Sequence, residues 1–429
     1  MAPGAGRVHD VLVVGAGSAG LFLAAALAQR GVDVVVLERR TAAGTGSRAI
    51  GLHPPAVLAL RALGLEQEAL ALGARVERGV ARSRGRRLGA LGFERAWPER
   101  PFVLTLPQHR TEALLARRLR QFAPAALRRG WEVLGTREDG GVVHVTARGA
   151  GGPVRTWRAR VLVGADGAHG GTRERAGIGA HGRTYPDTYL MGDFADTTGD
   201  AGTAVIHLEP AGVVESFPLP AGRRRWVVHT GAAPSAPGAP STPAAPAAPG
   251  APAGASAQAL AALVAARTGE VLDPATASAV SAFAVHRRLA RRMVAGRQVL
   301  IGDAAHEISP IGGQGMTLGW LDAQALVPLL VRVLAGGTGA DLRSVRGFVR
   351  FERERTRAAR TAARRAGLNT VLGRPAGAGL GRAREALVRA LLGGPLRHPL
   401  AGAFTMRRSG GDRAPAPLLD TVLTASTER

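Results

Sequence analysis

The 429-residue chain contains no cysteine and no lysine, and only 4% of its residues are aromatic. The absence of cysteine excludes disulfides, thiolate metal sites, cysteine nucleophiles and redox-active thiol pairs. No interleaving of arginine with aromatic residues of the kind that stacks nucleic-acid bases is visible. No run approaches the roughly 20 uninterrupted apolar residues of a membrane-spanning helix. We therefore predict a cytoplasmic protein without a transmembrane segment.

The formal net charge is +24, and all 56 basic residues are arginines. Such a charge normally indicates nucleic acid or an anionic membrane as the partner. Here, however, abundant Ala, Gly, Pro and Arg without lysine is what a very GC-rich coding sequence produces. We therefore ascribe much of the charge to solvated faces and predict no nucleic-acid partner. With 46% hydrophobic residues, the chain can bury the cores of two or three domains.

The N-terminal segment VHDVLVVGAGSAGLFLAAALAQRGVDVVVLERR predicts a complete β-α-β unit. An apolar strand from Val8 to Val14 leads into a glycine turn and an Ala/Leu helix that ends near Arg30. A second apolar strand, Val34 to Leu37, is followed directly by Glu38. Strand, glycine turn, helix, strand and acid are thus all present in order.

The glycine turn of this unit predicts dinucleotide binding. Its first glycine lets the chain turn, the second lets the backbone approach a pyrophosphate, and the third lets the helix pack close to the strand. The helix start offers N–H groups and the positive end of its dipole to phosphates. Glu38 is placed to bind an adenosine ribose with a free 2′-hydroxyl, as in FAD or NAD. The predicted cofactor-binding residues of the turn are Gly15, Gly17, Ser18, Ala19 and Gly20.

Two further strand-turn corners follow later in the chain. In VLVGADGAHGGTRERAG a strand leads to Asp166 and Arg173. In RQVLIGDAAHEISPIGGQGMTLGWLDA a strand leads to Asp303, then to Pro310 and a glycine-rich turn before a helix. Each corner alone is common in proteins, whereas three in this order are far less so.

At these residues the chain resembles the single-component FAD-dependent aromatic hydroxylases of the para-hydroxybenzoate hydroxylase type. The resemblance covers about residues 8–330. It rests on GxGxxG with Glu38, on GADG with Arg173, and on GDAAH…P…GQG. Two shorter matches support it, SRAIGL around Arg48 and LPQHRTEALL around Gln108. The resemblance implies bound FAD and NADPH or NADH as co-substrate.

The resemblance also implies roles at the adenine end and middle of the cofactor. Glu38 would bind the adenosine ribose, with Arg39 beside it in the cofactor site. Arg48 and Gln108 would approach the pyrophosphate and the ribityl chain. Asp166 would help to bind both the flavin and the pyridine nucleotide.

At the flavin end, the resemblance implies that Asp303 hydrogen-bonds the ribityl hydroxyls and that Pro310 lies near the isoalloxazine. The backbone of the following turn would contact the pyrimidine side of the ring. Gly171 departs from the family, which usually has a small polar residue there, so the nucleotide contacts of the GADG segment stay open. The flavin-end residues are Gly302, Asp303, Pro310, Gly313, Gly315 and Met316.

The implied chemistry belongs to the cofactor, while the protein supplies position and shielding. NAD(P)H reduces the flavin, O2 adds to give a C4a-hydroperoxyflavin, and its distal oxygen passes to an electron-rich ring. We expect hydroxylation of a phenolic or polyketide-like aromatic, in secondary metabolism, by a monomer or homodimer. Two alternatives stay open: an FAD-dependent reductase or oxidase of an isoprenoid or quinone-like substrate on the same fold, and a non-enzymatic flavoprotein.

The predicted fold class is α/β, with a discontinuous Rossmann-like FAD-binding domain, a mixed β-sheet substrate domain and C-terminal helices. Residues 232–256 are a low-complexity Pro/Ala segment, predicted to be a flexible surface loop. The predicted division is 1–73, 107–176 and 290–340 for the FAD-binding domain, 74–106 and 177–289 for the substrate domain, and 341–429 for the helical region.

No catalytic base can be chosen from the sequence. Spacing does not discriminate among the candidates in the strand-rich middle, which are His181, Tyr185, Tyr189, His207 and His229.

Three patterns resemble sites that we do not predict. His306-Glu307 begins like the zinc signature HExxH, but Pro310 stands where the second histidine would be, so no metal is expected. The glycines of residues 377–381 resemble a phosphate loop but follow no strand, and we predict a flexible connection. The arginine-rich helix RGFVRFERERTRAARTAARRAG predicts a solvated face with Glu/Arg pairs.

Overall fold

The structure is a computed structural model that describes residues 7–44, 46, 49–232, 256–336 and 341–407. Arg48 and almost all of the Pro/Ala segment lie outside the described residues. The α-helices are α1 (Ser18–Ala28), α2 (Pro54–Ala62), α3 (Glu66–Leu72), α4 (Gln108–Phe122), α5 (Thr172–Arg175), α6 (Ala257–Thr268), α7 (Gly315–Ala335), α8 (Arg346–Leu372), α9 (Ala378–Gly393) and α10 (Arg397–Phe404).

The strands form two large sheets and one small sheet. In chain order they are β1 (Val8–Val14), β2 (Val34–Glu38), β3 (Gly51–Leu52), β4 (Ala74–Val76), β5 (Arg78–Ser83), β6 (Arg86–Gly92), β7 (Val103–Thr105), β8 (Leu127–Arg129), β9 (Trp131–Asp139), β10 (Val142–Gly149), β11 (Val154–Gly164), β12 (Ala180–Ala195), β13 (Thr203–His207), β14 (Val214–Leu219), β15 (Arg223–Ala232), β16 (Ser278–Ala290), β17 (Val294–Ala295), β18 (Gln298–Leu300) and β19 (His306–Glu307).

The first large sheet is built around β1, which pairs in parallel with β2 on one side and with β11 on the other. The spatial order is β17-β18-β11-β1-β2-β8, and β9 and β10 extend it as antiparallel strands from β11. Buried valines and leucines fill β1 and β2, as expected for parallel strands covered on both faces. This arrangement brings the carboxyl ends of β1, β11 and β18 to one edge of the sheet.

Helices α1 and α7 pack beside each other over the first sheet. The rings of Phe22 and Trp320 stack with centroids 5.3 Å apart. By length and composition α7 could cross a membrane. However, twelve of its residues are buried in the protein, and Asp322 lies near its middle. We therefore assign α7 to the core of this fold.

The second large sheet is mixed and has the order β19-β16-β12-β15-β14-β13-β5-β6. One face carries Leu190, Phe194 and Trp226 and is covered by α6. The opposite face carries Tyr189 and Val227 and packs against Ile311, in the loop before α7. We call this second face the inner face. It is the surface that the second sheet presents to Ile311, which directly precedes the glycine-rich turn of residues 312–315.

The small sheet has the order β3-β7-β4. Strands β3 and β4 both pair with the central strand β7. Strands β5 and β6, which lie between β4 and β7 in sequence, join the second large sheet instead. The Thr105 hydroxyl donates a hydrogen bond to the backbone oxygen of Pro218 in β14 at 2.6 Å. This contact ties the small sheet to the second large sheet.

One prediction about the C-terminal region is wrong. Residues 377–381 are no flexible connection, because Gly377 is the N-cap of α9 and Gly379 and Gly381 lie inside that helix. The Ala/Leu/Arg-rich sequence after them favours a helix strongly enough to offset about 1 kcal/mol for each interior glycine.

The predicted solvated face of α8 is present, and the opposite side of the helix is buried. Arg350 and Glu354 form an exposed ion pair four residues apart, as predicted. In contrast, Arg355 is buried and bonds to a carboxylate on α7. A charge pattern alone could not indicate this, because the partner lies 33 positions away in the chain.

Candidate functional site

Two glycines of the first turn are required by close backbone approaches. Gly15 has φ +102°, and a Cβ at this position would lie 2.5 Å from the backbone oxygen of Ala165, after β11. A Cβ at Gly20 would lie 2.1 Å from the backbone oxygen of Gly15. These two positions let β1, β11 and the start of α1 converge at one point.

Gly17 differs from both, because a Cβ at this position would meet no atom within 4 Å. The fold itself therefore leaves the space above Gly17 open. Gly17 is the N-cap of α1 and gives the helix no side-chain cap. The first amides of α1, at Ser18 and Ala19, therefore face this space without intrahelical acceptors. An open space beside such amides fits a pyrophosphate.

Glu38 ends β2 beside this turn and is buried. Its Oε2 accepts a hydrogen bond from the backbone N–H of Ala16 at 2.7 Å, and its Oε1 accepts from the Arg40 Nε at 2.9 Å. Desolvation opposes ionisation of this carboxyl, but the hydrogen bonds outweigh it and lower its pKa. A fixed carboxylate at the end of β2 suits the ribose role proposed for Glu38. Its neighbour Arg39 is exposed.

The second glycine turn lies directly against the first. A Cβ at Gly302 would lie 3.1 Å from the Ala19 Cβ, and a Cβ at Gly319 would lie 3.2 Å from the same atom. In addition, the Trp320 indole donates a hydrogen bond to the backbone oxygen of Ser18 at 3.1 Å. Segments some 300 residues apart in sequence therefore form one continuous site.

Asp303 is accessible to solvent in this site. A Cβ at Gly315, the first residue of α7, would lie 3.9 Å from the Oδ1 of Asp303. Partial desolvation by the surrounding protein raises the pKa of the Asp303 carboxyl. The side chain is thus placed where an extended ligand crossing from the first turn to the second would meet it.

A buried polar network lies behind Asp303. Asp322 of α7 accepts hydrogen bonds from the backbone N–H of Gly302 at 3.0 Å and from the His306 Nε2 at 2.5 Å. Its other carboxylate oxygen accepts from the Arg355 Nε at 2.7 Å. The network therefore joins both ends of the Gly302–His306 turn to α7 and α8.

The charges of this network stabilise one another. Desolvation alone would raise the pKa of Asp322, but the attraction of His306 and Arg355 outweighs it and lowers that pKa. Desolvation likewise opposes protonation of His306, and the attraction of Asp322 outweighs it and raises that pKa. Sequence reasoning missed Asp322 and Arg355. The available signal was an acid inside an otherwise apolar helix, because such an acid needs a buried partner.

The loop between His306 and α7 turns sharply at Gly312 and Gly313, which have φ +101° and +65°. Pro310 at its start is exposed, and Met316 at its end is buried. His53 lies beneath the loop, with its Nε2 3.9 Å from the Cβ position of Gly313. Burial lowers the pKa of His53 to about 4, against a smaller opposing effect of the loop backbone. A neutral His53 thus supports the loop, and sequence spacing gave no indication of this.

Asp166 has a structural contact at the third corner. Its Oδ2 accepts hydrogen bonds from the backbone N–H and the hydroxyl of Thr172 at 2.9 and 2.7 Å, which caps α5. Gly171, where the family usually has a small polar residue, is the N-cap without a side-chain bond. Asp166 therefore supplies the cap that Gly171 cannot. Its Oδ1 is buried and accepts no hydrogen bond in the described structure.

Gln108 is the first residue of α4, and its side-chain amide donates a hydrogen bond to the Glu112 carboxylate at 2.9 Å. Its backbone N–H donates to the backbone oxygen of Ala49 at 3.2 Å. Helix α4 therefore begins beside Ala49. Its neighbour Arg48 lies outside the described residues, so the role implied for Arg48 stays a prediction.

The structure separates the five candidates for a catalytic base. His181 is exposed, at the start of β12. His207 lies on the α6 side of the second sheet, where its ring is 6.4 Å from that of Trp226. The other three, Tyr185, Tyr189 and His229, belong to the inner face. Only these three thus lie on the side of the sheet that packs against Ile311.

No group of three or more metal-ligating side chains occurs among the described residues. His306 and Glu307, the start of the zinc-like pattern, form the short strand β19. His306 bonds instead to Asp322, so its ring is committed to the buried network.

Residues 8–366 match the family model described as FAD binding domain, and the chain belongs to this family. The predicted fold class and the resemblance to FAD-dependent aromatic hydroxylases are thereby confirmed. The chain is 32% identical over 340 residues to the 6-methylpretetramide 4-monooxygenase of Streptomyces rimosus, covering 78% of this chain and 57% of that protein. It spans 57% to 62% of the lengths of the first three curated relatives that it matches.

Two solved structures share the fold. The OxyS anhydrotetracycline hydroxylase from Streptomyces rimosus superposes with a TM-score of 0.74 at 27% identity, covering 96% of this chain and 78% of that one. The p-nitrophenol 4-monooxygenase from Pseudomonas putida superposes with a TM-score of 0.81 at 21% identity, covering 95% of this chain and 99% of that one. At 21% identity the second likeness speaks for the fold alone.

Proposed function

We propose that the protein is an FAD-dependent monooxygenase that hydroxylates a phenolic or polyketide-like aromatic with NADPH or NADH and O2. The observation that carries this proposal is the apposition of three features. The open space above Gly17, the accessible Asp303 and the inner face of the second sheet follow one another across a continuous site. This order matches the pyrophosphate, the ribityl chain and the flavin ring of one extended FAD, with an apolar surface beyond the ring.

The protein residues would bind and orient the cofactor. Amides at the start of α1 would hold the pyrophosphate, Glu38 the adenosine ribose and Asp303 the ribityl hydroxyls. The loop from Pro310 to Met316 would support the flavin ring. Bound FAD would supply the electron transfer from NAD(P)H and the activation of O2.

The second sheet would receive the substrate. Tyr189, Met191 and Val227 of the inner face are buried beside Ile311. An apolar surface at the ring end excludes water, which such a reaction requires. Names of the relatives support the substrate class, since they include a tetracycline-type hydroxylase and a hydroxyphenylpropionate hydroxylase.

The test is to purify the protein, record its absorption spectrum, and screen phenols and quinones for compounds that stimulate its oxidation of NAD(P)H. We expect a flavin spectrum, and oxidation of NAD(P)H with equimolar oxygen uptake and a hydroxylated product. A protein that cannot be loaded with FAD would contradict the proposal. Stimulated oxidation without oxygen uptake would instead favour a reductase. The cytoplasmic location and the monomeric or homodimeric state stay predictions.

A further inference from the structure

Glu215 is a buried acid on the inner face. It lies in β14 opposite Val227 of β15 and opposite Ile206 of β13. Alternate residues of a strand point to opposite faces. Val214 belongs to the α6 side, so Glu215 points to the inner face, among the apolar side chains of its two neighbours.

Among the residues that the structure describes, no cation or hydrogen-bond donor offsets the burial of this carboxyl. Glu215 is 7% exposed, and burial is the sole influence on its pKa, which is raised to about 7. Other buried acids of the described structure are satisfied. Asp193 pairs with Arg225, and Glu209 accepts two hydrogen bonds from the backbone N–H of Arg84. An acid left without a partner in an apolar face costs stability, which points to a ligand.

A second unsatisfied polar group lies on the same face. The Tyr189 hydroxyl is buried and has no hydrogen-bond partner in the described structure. Glu215 on β14 lies opposite Val227 on β15. Val227 in turn lies opposite Met191 on β12, two residues along the strand from Tyr189. Strand β15 therefore lies between the strands of Tyr189 and Glu215, and the backbones of these two strands are about 10 Å apart. The charge of Glu215 raises the pKa of Tyr189, second only to burial, so the side chains point into a common region.

This region adjoins the proposed flavin site. Ile311, which follows Pro310, packs in one apolar cluster with Tyr189, Met191 and Val227. The ring of Phe283 stacks on that of Tyr189 at 5.4 Å between centroids. Apolar and aromatic side chains, with the Glu215 carboxylate as acceptor and the Tyr189 hydroxyl as donor, suit an aromatic ring that carries a hydroxyl group.

We propose that Glu215 is the base that binds the hydroxyl of the phenolic substrate and accepts its proton, with Tyr189 as hydrogen-bond donor to the same oxygen. The proposal rests on the proposed function. In the step, the O–H bond of the substrate breaks and an O–H bond forms on the Glu215 carboxylate. No electrons leave the substrate, and its ring becomes a more electron-rich phenolate. A general base of this kind typically contributes about 10²- to 10⁴-fold to a rate.

The test compares two phenols of different acidity on the FAD-loaded enzyme, wild type and Glu215→Gln. One is a phenol with a pKa of about 10, like the tyrosine side chain. The other is a nitrophenol that is already ionised at the mildly alkaline assay pH. We expect Glu215→Gln to lower kcat/KM at least ~100-fold for the first and less than ~3-fold for the second. A general loss of structure would lower both equally.

The pH profile gives a second readout. In the wild type, kcat/KM for the weakly acidic phenol should rise with pH as Glu215 loses its proton, near pH 7. In Glu215→Gln this rise should move to the pKa of the phenol itself. Glu215→Asp keeps a carboxylate and should keep the wild-type profile at a lower rate.

The controls separate this proposal from the proposed function. Glu209→Gln changes another buried acid, in the loop after β13, and should leave the ratio of kcat/KM for the two phenols unchanged. A wild type that no phenol stimulates would contradict the proposed function itself. A stimulated wild type whose Glu215→Gln variant loses both substrates equally, or neither, would overturn the role of Glu215. FAD retention by Glu215→Gln and Glu215→Asp confirms that they fold.

Discussion

Trp320 donates its indole N–H to the backbone carbonyl oxygen of Ser18 at 3.1 Å, joining α7 to the first residue of α1. Around this bond, Ala19 packs against Gly302 and Gly319. The two glycine-rich turns, far apart in sequence, therefore form one site. Under the proposed function, each turn would hold one end of a single cofactor.

Because the space above Gly17 is open, the variant Gly17→Ala should affect FAD binding much more than folding. Gly17→Ala should fold, because the new Cβ meets no atom within 4 Å and the backbone is extended, with φ −77° and ψ 179°. The loss of an N-cap glycine should cost about 1 kcal/mol of stability at most. FAD affinity should nevertheless fall about tenfold or more, because the methyl group would occupy the space proposed for the pyrophosphate. Thermal unfolding and FAD titration measure the two effects.

Gly15→Ala is the matched comparison in the same turn. Its Cβ would meet the Ala165 backbone at 2.5 Å, and the φ of +102° is unfavourable for alanine. We expect the unfolding free energy to fall by about 2 kcal/mol or more, even without a cofactor. Equal stability of the two variants would show that the turn does not have the geometry described.

The network behind Asp303 should dominate the stability of the second turn. Asp322→Asn should leave His306 and Arg355 without their buried counter-charge. Removing one partner from a buried ion pair typically costs about 3–5 kcal/mol. Denaturant unfolding measures this loss, and Glu354→Gln is the control. Glu354 pairs with Arg350 on the exposed side of α8, where a change of about 0.5 kcal/mol is expected. Similar losses in both variants would contradict the buried network.

The buried Glu215 predicts a pH dependence of stability in the absence of substrate. Its pKa is raised from 4.5 to about 7, so the unfolded chain releases this proton at lower pH than the folded protein does. The folded state is therefore favoured at low pH and loses stability as the pH rises from about 4.5 to about 7. A difference of this size corresponds to about 3 kcal/mol.

The variant Glu215→Gln lacks this titration. Its stability relative to wild type should therefore increase across the same pH range and level off above it. Unfolding curves of both proteins at a series of pH values measure the difference. A difference that does not change with pH would show that the Glu215 carboxyl is not desolvated in the folded protein.

The sequence was most informative where function depends on local backbone geometry. Strand, glycine turn, helix and second strand follow each other in residues 8–38, and the structure has these elements where they were predicted. The two sheets and the C-terminal helices also agree with the predicted fold class. The residue roles at the cofactor site and the domain boundaries stay predictions.

What could not be predicted depends on contacts between distant segments. Asp322 and Arg355 are 33 positions apart, and their pairing requires α7 and α8 to pack against each other. Glu215 is one acid in the short strand VESFPL, and its burial depends on which face of the second sheet packs against Ile311. Neither spacing nor charge pattern determines such a choice. The glycines at the start of α9 led to a different error. Their composition suggested a loop, whereas the structure includes them in the helix.

The most direct test of the central claim is an equilibrium titration of the apoprotein with FAD, followed by flavin fluorescence, for the wild type, Gly17→Ala and Asp303→Ala. One FAD held by both turns predicts one site per chain. It also predicts that FAD binds at least about tenfold more weakly to each variant. In Gly17→Ala the methyl group would occupy the space proposed for the pyrophosphate, and in Asp303→Ala a hydrogen bond to a charged group, which contributes about 1.5–3 kcal/mol, would be lost. Two flavins per chain, or wild-type affinity in Asp303→Ala, would contradict the claim that one cofactor spans both turns.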